Sequence, residues 1–208
     1  MEPPLKKRIL LILLVVAIQS IYTPTSLLLE GGIEPKLPID VFPLWVIWVI
    51  PYVLCYPLWI FALVWLVWKM EEHLFRATLA GLLFTCSLGI SIFILFPTYV
   101  VPPEITGTDI LSRLLRFLQV AGGDHDAFPS AHIYITVILA FFYNEWYPRG
   151  KWIWLLIVII VALSTLFTRQ HYILDVVGGI VVAWMGYNFG LWWQKTGFKR
   201  WNILHNNT

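Results

Sequence analysis

The sequence predicts an all-α, polytopic membrane protein, a six-transmembrane-helix bundle with a short interfacial helix before the fourth span. Three observations carry this. The 208 residues are 59% hydrophobic and only 12% charged, about half the charge of a soluble domain. Apolar runs at about 9–29, 42–68, 75–98, 129–146, 152–168 and 172–193 approach the roughly 20 residues needed to cross a hydrocarbon core of about 30 Å. The Lys and Arg residues between those runs fall unevenly on the two sides.

The first run follows Lys6-Lys7-Arg8 and imitates a signal peptide. No small-x-small cleavage site follows it, so it reads as a retained first span. The second and third runs are long enough to span without help. Between the third and fourth, Thr108 to Val120 places Ile110, Leu111, Leu114, Leu115 and Leu118 apart from Arg113 and Arg116, the pattern of a helix lying in the interface. It reads as a lid on the bundle, with a lipid-headgroup role for Arg116 and Arg113 as the alternative. The fourth and fifth runs are short, which fits helices whose ends are sunk in protein around a cavity. Gly178-Gly179 predict close packing of the sixth helix against a neighbour. Residues 1–208 read as one domain.

Loop charge predicts orientation. Lys6, Lys7, Arg8, Lys69, Arg76, Arg149, Lys151, Lys195, Lys199 and Arg200 share one side, ten residues against Lys36, Arg113, Arg116 and Arg169 on the other. Both termini are therefore expected in the cytoplasm of a multi-pass cell-membrane protein, with loops 30–41, 99–128 and 168–171 outside. A net charge of +2 with no basic stripe argues against a nucleic-acid partner. Cys55 and Cys86 lie inside apolar runs, which excludes a disulfide framework and a Cys-based zinc site. No cofactor or metal is expected. Oligomeric state is not encoded legibly.

Two polar clusters border apolar runs: Gly122 to His132, reading GGDHDAFPSAH, and Thr168 to Asp175, reading TRQHYILD. Ionisable groups at such depth cost roughly 2.5–3.5 kcal/mol each and persist where paired or functional. Pro129 suits the first helical position. The following N–H groups, on Ser130 and Ala131, would then lack intrahelical partners and form an anion site at the helix N-terminus, with the Ser130 hydroxyl as a further donor. His132 lies in the same first turn, within reach of a bound phosphate ester. In the second cluster His171 and Asp175 are four apart and share a helical face. The carboxylate can fix the imidazole tautomer and activate the ring as a nucleophile. Arg169 supplies a forked donor for phosphoryl oxygens. His125 and Asp126 sit in a glycine-flanked loop, where solvated turn residues are the ordinary reading and substrate contact the alternative; Asp124 reads as turn chemistry.

FPSAH and HYILD resemble the Pro-Ser-x-His and His-x-x-x-Asp motifs of the type-2 phosphatidic acid phosphatase superfamily, integral-membrane enzymes of six helices. The stretch STLFTRQHYILDVVGG is closest to the branch of inositol phosphorylceramide synthases and relatives of sphingomyelin synthases. The resemblance implies a phosphohistidine at His171, orientation of that ring by Asp175, and protonation of the leaving alcohol by His132. The sequence departs from the phosphatase pattern at FPTYVVPPEI, where an upstream Lys/Arg-Pro motif would stand, and at Ser164-Thr165, where Ser-Arg is usual. Ala131 replaces the usual glycine.

The expected function is a metal-independent lipid phosphate phosphatase taking its substrate from the membrane, acting on the extracytoplasmic face. The alternative is a phospholipid or sphingolipid headgroup transferase with the same residues. A membrane haem protein using His132 and His171 as axial ligands is a different class, told apart by a Soret band. A transporter relay fits less well, because the clusters lie at one face rather than the midplane.

Overall fold

A computed structural model describes residues 5–205, and side chains over 5–196. Lys199 and Arg200, counted above for orientation, lie outside the described side chains. Among the described residues eight α-helices run in order: α1 Leu5–Gln19, α2 Tyr22–Leu28, α3 Val49–Lys69, α4 Glu72–Leu95, α5 Ile110–Gly122, α6 Ala131–Trp146, α7 Lys151–Phe167 and α8 Ile173–His205. No strand occurs among the described residues, and isolated bridges pair Ile33 with Thr98 and Tyr99 with His125. The all-helical membrane bundle of the sequence reading is the fold.

Each expected run is helical, with differences that have local causes. The first is broken at Ser20–Ile21. Pro24 has no N–H to give the Ser20 carbonyl, so the helix cannot continue regularly through it. The second begins late, because Phe42 precedes Pro43 and is pushed to extended backbone. A short 3₁₀ turn at Val46–Trp48 then leads into α3.

Among the described residues, five segments are long and apolar enough to cross a membrane, namely Leu5–Leu28, Val46–Lys69, Glu72–Leu95, Pro148–Phe167 and Ile173–Thr196. The fourth expected span, α6, has 16 residues and falls short of that length; eleven of them are buried. It packs against α3, α4, α7 and α8. A helix so enclosed satisfies its ends against protein rather than lipid, which is why it can be short.

The outer helices show lipid-type surfaces, with Leu10, Ile60, Trp68 and Ile153 all exposed. Inside, Gly179 allows α8 to approach α6. A Cβ there would stand 2.9 Å from the Ser130 carbonyl oxygen and 2.8 Å from the Ile133 Cβ. The apolar face of α5 packs through Leu111, Leu114, Leu115 and Leu118 against Val49 and Ile105, while Ile110, Phe117 and Val120 remain exposed. Asp109 caps its start by accepting from the N–H groups of Leu111 and Ser112.

At the opposite end from the polar clusters, Arg8 is buried rather than solvated. Its Nη1 donates to the Met70 carbonyl at 2.7 Å and to Val67 at 3.3 Å, and its Nη2 pairs with Glu72 at 2.9 Å. The guanidinium also lies 4.6 Å from the Phe75 ring centroid. This ties α1, otherwise mostly lipid-facing, to the α3–α4 turn. Arg8→Met is expected to lower stability by about 3 kcal/mol, because Glu72 and two carbonyls lose a desolvated partner. Thermal unfolding in detergent checks this, with activity at low temperature unchanged.

Candidate active site

The two polar clusters meet at one end of the bundle. The His132 and His171 ring centroids are 5.8 Å apart at an interplanar angle of 63°. Main chain joins the clusters as well, since the Ser130 N–H donates to the Asp175 backbone carbonyl at 3.0 Å. The N-termini of α6 and α8 converge here, and both present the positive ends of their dipoles to the same small volume.

His171 is held by the turn between α7 and α8. The Thr168 hydroxyl donates to the Ser164 carbonyl at 2.6 Å, and the N–H groups of Gln170 and His171 both donate to the Thr165 carbonyl. Arg169 occupies the left-handed region with φ 54°, a conformation that costs a non-glycine residue about 1–2 kcal/mol. The Asp175 carboxylate accepts from the Tyr172 N–H at 2.7 Å and lies 3.4 Å from the His171 Nδ1. Both side chains are buried. The expected pairing thus occupies Nδ1 through a long contact and leaves the His171 Nε2 without a hydrogen-bond partner among the described residues.

Sequence reasoning missed a further acid in this arrangement. Asp40, buried in the first loop of the polar end, accepts the Ile173 N–H at 2.9 Å and the Leu37 N–H at 2.7 Å. It caps α8 from a position 133 residues away, a separation that no local pattern reveals. Asp40→Ala is expected to cost about 1 kcal/mol, the usual value of a lost helix cap. It is also expected to reduce kcat several-fold by loosening the turn that bears His171; unfolding curves and steady-state rates check both.

On α6, Pro129 lies outside the helix and Ser130 is its N-cap. This corrects the expected start, and with it the role of the Ser130 N–H, which is committed to Asp175. The Ala131 N–H opens the helix and has no intrahelical partner. The Ser130 hydroxyl is fully buried without a hydrogen-bond partner.

His132 is enclosed by three aromatic residues of α3. Tyr52 packs at 4.3 Å between ring centroids and Trp59 at 5.6 Å, and the Tyr56 hydroxyl stands 3.1 Å from the His132 Nε2. The other ring nitrogen, Nδ1, is buried and unpartnered. These aromatics carried a legible signal, since positions 52, 56 and 59 share a helical face.

A cleft opens beside His171, lined by Tyr22, Tyr52, Gln119, His125, Arg169 and Gln170 among others. Arg169 is exposed and its guanidinium makes no hydrogen bond or ion pair among the described residues. Arg116 and Arg113 do not line the cleft. Arg116 donates to the Ile105 and Gly107 carbonyls, both at 2.7 Å, and Arg113 to the Thr108 carbonyl at 2.9 Å; both brace the loop before α5. His125 uses both ring nitrogens, towards Asp124 at 2.9 Å and the Gly31 carbonyl at 3.0 Å.

Asp126 is not a solvated turn residue. It is fully buried, with φ 61° and a hydrogen bond from the Thr25 hydroxyl. Burial pushes its carboxyl above the usual range, against the opposing pulls of the Thr25 hydrogen bond and His125.

A comparison with curated proteins finds no match. The sequence model of the PAP2 superfamily matches residues 40–189, a span that runs from the Asp40 cap into α8 and contains His132, Arg169, His171 and Asp175. The chain therefore belongs to the PAP2 superfamily.

Proposed function

We propose that the protein is a lipid phosphate phosphatase working through a phosphohistidine at His171, with its site on the extracytoplasmic face. Membership of the superfamily makes it a phosphoryl-transfer enzyme of the membrane. The observation that carries the finer reading is the placement of His132 and His171 5.8 Å apart, with a carboxylate on the far side of only one of them. That asymmetry supports the division of roles. The ring backed by Asp175 gains positive charge as its Nε2 attacks phosphorus, and the carboxylate stabilises it.

In the first step the bond from His171 Nε2 to phosphorus forms and the bond from phosphorus to the leaving lipid oxygen breaks. His132 gives that oxygen a proton. In the second step water attacks, the phosphorus–nitrogen bond breaks, and the proton from water returns to His132. Arg169 would stabilise the equatorial oxygens.

Arg169 offers its own test. A glycine would fit its backbone conformation better, so arginine at this position is explained by what its side chain does in the cleft. Arg169→Gly is expected to raise stability by about 1 kcal/mol while reducing kcat/KM about 100-fold. Arg169→Lys is expected to keep the fold and lose much of the rate, because a point charge does not reproduce forked contacts. Unchanged kinetics in both would remove Arg169 from the site.

The reaction itself is tested with a panel of phosphatidic acid, polyprenyl phosphate and sphingolipid substrates, with and without added alcohols. Free phosphate as the main product supports hydrolysis; headgroup-exchanged lipid identifies a transferase using the same residues. Turnover is expected to survive EDTA and to be inhibited by vanadate.

A further inference from the structure

We infer that Tyr56 is a positioning residue for His132, holding its Nε2 so that proton exchange with the substrate passes through Nδ1. The inference rests on the proposed role of His132 as the acid. The Tyr56 hydroxyl is 3.1 Å from the His132 Nε2, while Nδ1 is buried and has no partner in the protein. An imidazole that delivers a proton in one step and retrieves one in the next must use the same nitrogen twice, or its ring must turn over between steps. Turning is blocked here. Tyr52 packs on the ring at 4.3 Å and Trp59 flanks it at 5.6 Å. Trp59 is itself fixed, because its Nε1–H donates to the Thr136 hydroxyl at 3.0 Å and that hydroxyl donates to the His132 carbonyl at 2.6 Å.

A tyrosine hydroxyl suits the Nε2 side because it both donates and accepts. With His132 as imidazolium, the Nε2–H donates to the Tyr56 oxygen and the proton on Nδ1 is the one left to exchange. When the Nδ1–H bond breaks, the proton goes to the leaving lipid oxygen and the electron pair stays on Nδ1. The ring is then neutral with its Nε2–H still on Tyr56. Water in the second step gives its proton back to Nδ1. The Tyr56 contact persists throughout, so the tautomer needed for the return step is the one already present. An apolar residue at position 56 would leave Nε2 as unpaired as Nδ1, so that nothing on the protein would select between the two tautomers.

Tyr56→Phe keeps the ring and removes only the hydroxyl. The expected result is a fall in kcat of roughly 10-fold or more, a fraction of what general acid–base catalysis contributes, with KM within about twofold of the parent. Nitrogen-15 NMR of histidine-labelled protein in detergent reads the tautomer independently of activity. The His132 signals are identified by their loss in His132→Gln. The parent is expected to show neutral His132 protonated at Nε2, and Tyr56→Phe a mixture of the two tautomers. Unchanged kcat in Tyr56→Phe alongside an active parent overturns the role of Tyr56 and leaves the phosphatase reading standing. A parent without turnover of any lipid phosphate overturns the phosphatase reading instead. In that case the tautomer still decides whether Tyr56 holds His132, since Nδ1-protonated His132 in the parent contradicts it.

Discussion

His171→Ala is expected to lower turnover of lipid phosphates by about 10⁴-fold or more, the scale on which removing a covalent nucleophile acts, with the fold retained. The ring makes a single side-chain hydrogen bond, to Asp175. Its loss leaves Asp175 with the Tyr172 N–H as a partner, so the α8 start stays capped and Asp40 still holds Ile173. The helix count by circular dichroism and the melting temperature should therefore change little. Substrate would still bind through the Arg169 cleft. Full activity in His171→Ala would defeat the mechanism, and a collapsed fold would show that His171 is structural.

Asp175→Asn is expected to lower kcat by about 10³–10⁴-fold, as loss of the tautomer-setting carboxylate does in serine hydrolases. The substitution separates two jobs that Asp175 performs with one oxygen. The amide oxygen of asparagine can still accept the Tyr172 N–H, so the cap survives. It cannot at the same time accept the proton of the His171 Nδ1 as a charged group and stabilise the ring as it turns cationic. Asp175→Ala removes both and is expected to lose stability as well as rate. Comparing the two by melting temperature and by kcat divides the catalytic loss from the structural one. Equal kcat in Asp175→Asn and the parent would remove the orienting role.

The parts of this molecule that follow local rules were legible in the chain. Apolar runs of 17 or more residues marked helices because nothing else satisfies backbone groups in lipid, and α5 showed its packed face through Leu111, Leu114, Leu115 and Leu118. His171 and Asp175 were legible as an i,i+4 pair. Gly178-Gly179 mark a close-packing point in the sequence, and Gly179 lies against Ser130 and Ile133.

Long-range matters were not legible. The reach of Asp40 to Ile173, the burial of Asp126 against Thr25 and the diversion of Arg116 to loop carbonyls each depend on how distant loops fold over the polar end. A charge count treats Arg8 and Lys6 alike, yet Arg8 is buried against the α3–α4 turn and Lys6 is exposed. The Ser130 N–H shows the same limit. Helix-start chemistry made it a free donor, and tertiary approach of α8 gave it to Asp175.

Everything proposed for the site passes through a covalent phosphohistidine on His171, and trapping it is the direct test. Purified protein is mixed for milliseconds with a phosphorus-32-labelled lipid phosphate, quenched in alkali, digested and mapped by mass spectrometry. The expected result is label that is stable in alkali and lost in acid, on the peptide carrying His171. That label should be absent from His171→Ala and should accumulate in His132→Gln when a good leaving group removes the need for an acid. Label on another residue, or rapid turnover with no protein-bound phosphate on the reaction timescale, would contradict it.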